Sequence, residues 1–337
     1  MPTFQGFTRL RKIQVGKQTS FASNAPATRI LPWAGAIDFQ PNRTQPEVDL
    51  GSIDPILASF NGPTNITLPA SGKLDFDSAP YLWAALLKGG VTPTGGGAAK
   101  TWTFQAASLT ADDYEYLSVQ QGDDSNGISA GGGIVDSGSV GFADDEGAYD
   151  FTAAFVMARA VFATNPFTGG LTADVTPNWI YGADTEVYLD TVAANIGTTK
   201  LTDDVHSMNL AINGNNDQKR FANGSNTRFQ IAGYGRGARE GTLTLVRAET
   251  TAAIAERARL DDEPVITSYF EAKATSPEII TGSTPYSQSI RLALELLTCT
   301  PGNIGGNVTL EFTYRVKYDP TLLYAYKVVD VCALTTL

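Results

Sequence analysis

The chain has 337 residues, 42% of them hydrophobic and 18% charged, with 33 glycines; this suits one large or two medium turn-rich domains and excludes a chain disordered throughout. A formal net charge of -11, a pI near 4.6 and the lack of any Lys/Arg-rich run exclude a protein that grips nucleic acid by neutralising phosphates. The sequence holds no run of about 18 apolar residues for a membrane helix and no apolar segment at its N-terminus for a secretory signal.

Residues 11–16 (RKIQVG) open the chain with strand character. In WAGAIDFQ, Ala34, Ala36 and Asp38 alternate with Gly35, Ile37 and Phe39, the period of a half-buried strand. Residues 41–70 carry five prolines and read as a long functional loop. Leu74 and Phe76 then alternate with Lys73, Asp75 and Asp77. Ser78 suits a helix cap, Pro80 its first turn, and Tyr81, Leu82, Ala85 and Leu86 an apolar stripe ended by Gly89 and Gly90. KTWTFQ and DYEYLSVQQGD read as strands, and 137–160 as a closing pair that turns near 144–147.

Residues 164–178 are polar, marked by Gly and Pro, and read as a linker between domains at 1–163 and 179–337. The second half repeats the order of the first. TEVYLDT matches RKIQVGK. DVHSMNLAING matches the WAGAIDFQ strand, with His206, Met208, Leu210 and Ile212 on its apolar side. Residues 213–240 form a second long loop. GTLTLV leads into a helix with Ile254 and Ala258 on one face, and PVITSYFEAKA, SQSIRLALELL and 307–331 supply the remaining strands. The expected fold is mainly β: two tandem sandwich or barrel domains, each with one flanking helix and one long loop.

The segments VGKQTSFASNAPATRILPWAGAIDFQP, DYEYLSVQQGDD, EVYLDTVAANIGTTKL, NGNNDQKRFANGSNTRFQIAGYGRGAREGTLTLVRAET and YDPTLLYAYKVV resemble the major tail tube proteins of long-tailed bacteriophages. The resemblance covers most of the chain through the order and character of its segments. It implies rings whose inner strands close a β-barrel, stacked into a tube through which genomic DNA passes without specific binding. It also implies a virion protein made in the host cytoplasm, with partners in other copies of itself, a tape measure protein and tail terminator or tip proteins. Family members usually carry one such domain and form hexamers. Two domains per chain would make three chains a ring with pseudo-six-fold geometry. The long loops would reach adjacent subunits or rings.

Contact candidates on those loops are Arg43, Glu47, Asp49 and Asp54 in the first, and Lys219, Arg220, Arg228, Arg236 and Arg239 in the second. For the basic set three uses stay open: a solvated loop, charge pairing with the acidic loop, or phosphate contact. Wall strands should be small, polar or acidic, with 113–123, 141–153 and 309–319 as candidates.

No enzyme, cofactor or metal site is expected. His206 is the only histidine, and no G-x-S-x-G elbow accompanies it. GYGRG lacks the spacing of a phosphate loop. Asp123, Asp124 and Asn126 lack EF-hand alternation. Cys299 and Cys332 read as buried structural thiols. A carbohydrate-binding or carbohydrate-active β-sandwich is the alternative function. An outer-membrane barrel is disfavoured by the missing signal and the non-aromatic C-terminus.

Overall fold

Strand follows alternation through most of the chain. The structure, a computed structural model, describes residues 11–21, 24–46, 59–107, 109–110, 112–123, 126–143, 147–163, 165–221, 230–263 and 265–337. In the first half β1 (Lys12–Lys17), β2 (Arg29–Leu31), β3 (Asp38–Gln40), β4 (Arg43–Thr44), β5 (Phe60–Asn61) and β6 (Asn65–Lys73) precede helix α1 (Ala79–Leu86). After it come β7 (Lys100–Gln105), β8 (Leu117–Gly122), β9 (Gly127–Ala143), β10 (Asp150–Val156) and β11 (Arg159–Ala163). In the second half β12 (Thr185–Asp190), β13 (Val205–Asn213), β14 (Asp217–Lys219), β15 (Gly233–Gly235) and β16 (Glu240–Ala248) precede α2 (Thr251–Ala258). Then follow β17 (Ser268–Thr281), β18 (Thr284–Ile304), β19 (Asn307–Val316) and β20 (Tyr326–Cys332). The fold is mainly β, built from large antiparallel sheets.

Three local expectations are corrected. The strand before α1 begins at Asn65, so the first long loop ends earlier than Ala70. Pro69 is tolerated inside it. The Leu74 N–H bonds Tyr149 on the β10 side and the Ser71 N–H bonds Ala34 on the other, so by alternation Pro69 turns its nitrogen away from β10. There it faces a gap between the Ala34–Ser71 bridge and the β3 ladder. Second, Leu74 and Phe76 lie outside the strand, buried in the turn before α1. The Asp75 carboxylate caps that turn, accepting from the Ser78 N–H at 2.9 Å and from the Ser78 hydroxyl. All eight residues of α1 are buried, so it shows no single stripe. Third, α2 buries Ala253 and Glu256 and turns Ile254 outward. Glu256 is held inside by Arg259 at 2.8 Å and Ser268 at 3.2 Å.

The strand order occurs twice. In the first half β1 pairs β8, then β9, β10, β6 and β3, with β11 also on β9. In the second β12 pairs β17, then β18, β19, β16 and β13, with β20 also on β18. A small hairpin, β4–β5 or β14–β15, sits in each long loop. TEVYLDT and RKIQVGK, and the DVHSMNLAING and WAGAIDFQ strands, occupy equivalent places in the two orders.

The halves also meet. β13 pairs with β9, and β20 pairs with β7. One apolar core takes residues from both, Trp83 and Phe155 with Phe312 and Tyr314 among them. The segment expected as a linker lies on the first half through Thr168, whose N–H bonds Gln14 at 3.0 Å and Gln120 at 2.9 Å.

Candidate assembly surface

Along the path β18–β19–β16–β13–β9–β10–β6–β3, one face carries the main core, and the other is bare except where the second long loop covers Ile134 and Val156 at one end of β9 and β10. Period-2 alternation decides which side chains stand on the bare face. They are Thr67, Pro69 and Ser71 on β6, Thr152 and Ala154 on β10, and Ser137 and Ser139 on β9. Asn209 and Ala211 on β13, Thr242 on β16 and Thr313 on β19 continue the surface. The Ser139 and Thr152 hydroxyls bond across the ladder at 2.7 Å. An open trough of about 530 Å³ lies over the β6–β16 part.

Charge on this face is sparse. Lys73 pairs Asp150 at 2.8 Å and Arg315 pairs Glu295 at 3.1 Å. Asp38, Glu240 and Glu311 are exposed acids. Two of the three segments expected to form a wall, 141–153 and 309–319, contribute to this surface. The third does not, because β8 is buried along its whole length.

The second long loop is bound to the first half of its own chain. Tyr234 of β15 is buried among Phe21, Tyr114, Tyr116, Ile134 and Ala158. Burial pushes its phenol pKa up. Arg239 forms an ion pair with buried Asp112. Arg236 lies 4.4 Å over the Tyr114 ring and donates to the Leu87 carbonyl at 3.0 Å; burial lowers its pKa. Arg220 donates to the Thr64 carbonyl and to Asn65 Oδ1, both at 2.9 Å. Arg43 and Lys219 are exposed in β4 and β14. Glu47, Asp49, Asp54 and Arg228 lie outside the described residues.

The minor candidates have local structural explanations. The Asp123 carboxylate accepts from the Asn126 N–H at 2.8 Å in a tight turn, and Asp124 lies outside the described residues. His206 is half-buried beside a bulge in β13. Cys332 is buried but Cys299 only half so, and both are free. No group of three or more His, Cys, Asp or Glu able to hold a metal occurs among the described residues.

No protein-family model matches the chain, and no curated protein matches it.

The bare-faced path from β18 to β3 ends in an open edge at each end among the described residues. β3 pairs only with β6, and the 298–304 stretch of β18 pairs only with β19. The sequence gives no direct sign of these edges, because pairing partners are not encoded in alternation. The role of Tyr234 was equally hidden, in a polar loop without periodicity.

Proposed function

We propose that the chain is a structural subunit of a phage tail tube, with three copies closing a ring and rings stacking around a channel for DNA. The observation that carries this is the strand order written twice, with the two copies joined side by side through β9 and β13. Such a contact is head to tail, and repeated rotation closes a ring. An exposed strand edge invites pairing, and closure removes it.

Size and charge agree. Eight strands per chain lie along the bare-faced path. Twenty-four strands spaced about 4.8 Å and tilted about 40° enclose roughly 48 Å between backbones. Side chains leave roughly 38 Å, enough for a duplex about 20 Å across. Two chains would leave roughly 22 Å by the same geometry, too close a fit. The bare face would line the channel, and its small neutral and acidic side chains offer phosphates little to hold. Tape measure and terminator or tip proteins are the further partners implied by the family resemblance.

Electron microscopy of the concentrated protein tests this. Stacked rings with a central hole are expected. Single chains at every concentration, retained on a glycan column, would support the sugar-binding alternative instead. The trough itself has no aromatic lining on which a sugar ring could stack.

A further inference from the structure

The repeated strand order fixes a residue-by-residue equivalence between the halves. β9 bulges at Asp136 and β18 at Leu297. Counting from these bulges, Ser137, Ser139, Val140 and Gly141 correspond to Thr298, Thr300, Pro301 and Gly302. Asp38 pairs Thr67 as Ala211 pairs Thr242, and the Ala34–Ser71 bridge repeats Ser207–Val246. β3 therefore corresponds to β13, which lies on β9 with Asn209 opposite Gly141 and Ala211 opposite Ser139.

Two features of the contact between the halves have counterparts that no second strand or loop covers among the described residues. The first is a glycine. A Cβ at Gly141 would lie 2.2 Å from the Met208 carbonyl oxygen across the ladder, so only glycine fits. Gly302 holds the same place in β18, yet a Cβ there would meet only Thr309 Oγ1, at 3.0 Å. Its own chain gives little reason for a glycine in mid-strand.

The second is the apolar surface that the second half's long loop covers through Tyr234. Tyr114, which receives Tyr234, stands three residues before β8, and Val265 stands three residues before β17. Val265 and its neighbour Ile266 are 54% and 43% exposed.

We propose that one copy joins the next by repeating the contact between the halves. β3 of one copy adds to the open edge of β18 of the next, with Ala36 opposite Gly302, Asp38 opposite Thr300 and Gln40 opposite Thr298. The β4–β5 hairpin of the first copy lies over Val265 and Ile266 of the next, as β14–β15 lies over Tyr114. The choice of partner, a second copy of this chain, rests on the tube reading; the register comes from the internal ladder. Main-chain bonding supplies affinity in such strand addition, and buried side chains add to it. Pro301 makes the ladder one bond short, because by the alternation that the Gly214 N–H to Asp136 bond sets, Val140 turns its N–H toward β13. A proline on an edge also discourages pairing in other registers.

The test is oxidative cross-linking of the full chain carrying Cys299→Ser, Gln40→Cys and Thr298→Cys. Covalent oligomers ending at a closed ring are expected. The off-register pair Gln40→Cys with Asn303→Cys is expected to give none, since Asn303 lies five residues along from Thr298 and an odd shift moves its side chain to the other face. Gly302→Val should raise the concentration needed for rings at least tenfold while leaving the melting temperature of the single chain unchanged. Rings that form normally with Gly302→Val, or that cross-link only off register, would overturn the contact and leave the tube standing. An unmodified protein that forms no rings at any concentration would overturn both.

Discussion

The Tyr234 hydroxyl donates to the Gly132 carbonyl oxygen at 2.8 Å, and this bond pins the second half's long loop to the first half. The same hydroxyl lies 3.1 Å from the Val156 carbonyl. Tyr234→Phe leaves both acceptors without this donor, at an expected cost of about 1–3 kcal/mol. Tyr234→Ala also empties the aromatic cluster and should cost about 3–5 kcal/mol. Urea unfolding measures both. A neutral Tyr234→Phe would remove the hydroxyl from the account.

Arg247 and Asp204 form an ion pair in which both side chains are nearly inaccessible. The Arg247 Nε lies 3.2 Å from each carboxylate oxygen. Gly72 is the equivalent of Arg247 in the first half, so the pair belongs to the second alone. Arg247→Ala strands a buried carboxylate and should cost about 3–5 kcal/mol. Replacing both, with Arg247→Met and Asp204→Leu, should cost clearly less than Arg247→Ala alone. Denaturant midpoints decide it.

Asp330 of β20 is fully enclosed, and neither carboxylate oxygen has a hydrogen-bond partner among the described residues. Burial pushes its pKa up to about 8, and Gln288 beside it offsets part of that rise. The unfolded value is about 3.9. The folded state therefore binds the proton more tightly, and the contribution of Asp330 to stability falls as pH rises from about 4 to about 8. Asp330→Asn should flatten that slope and raise stability at pH 8. Unfolding free energies at pH 5 and pH 8 check it; an unchanged slope would contradict it.

The bare face is expected to accept charge without harm to the fold. Thr152→Lys and Ala211→Lys, both exposed, should change stability by no more than about 0.5 kcal/mol. Assembled tubes of the double variant should retain duplex DNA, with retention falling steeply as salt rises. Unmodified tubes should retain none. Filter binding across a salt series reads both, and equal behaviour would mean the face does not line the channel.

The places of the strands along the chain were legible because alternation marks one buried face, as in β13, where Met208, Leu210 and Ile212 point inward. The caps were less legible: Asp75 rather than Ser78 supplies the capping acceptor before α1, and Thr250, which accepts from the Ala253 N–H at 3.1 Å before α2, was not singled out. Pro69 hid the start of β6, since a proline reads as punctuation unless its neighbours' pairing is known. Glu256 hid the buried face of α2, because a charged residue enters a core only with partners that are distant in sequence. The basic loop was found by composition, yet its contacts at Asp112, Leu87 and Thr64 are long-range and left no local pattern.

The mass of the smallest closed ring tests the central claim most directly, with end-on symmetry taken from the same particles. The account predicts three chains of 35.8 kDa in each ring, three-fold in sequence and six-fold in outline. Six chains in a ring, or single chains alone at every concentration, would contradict it.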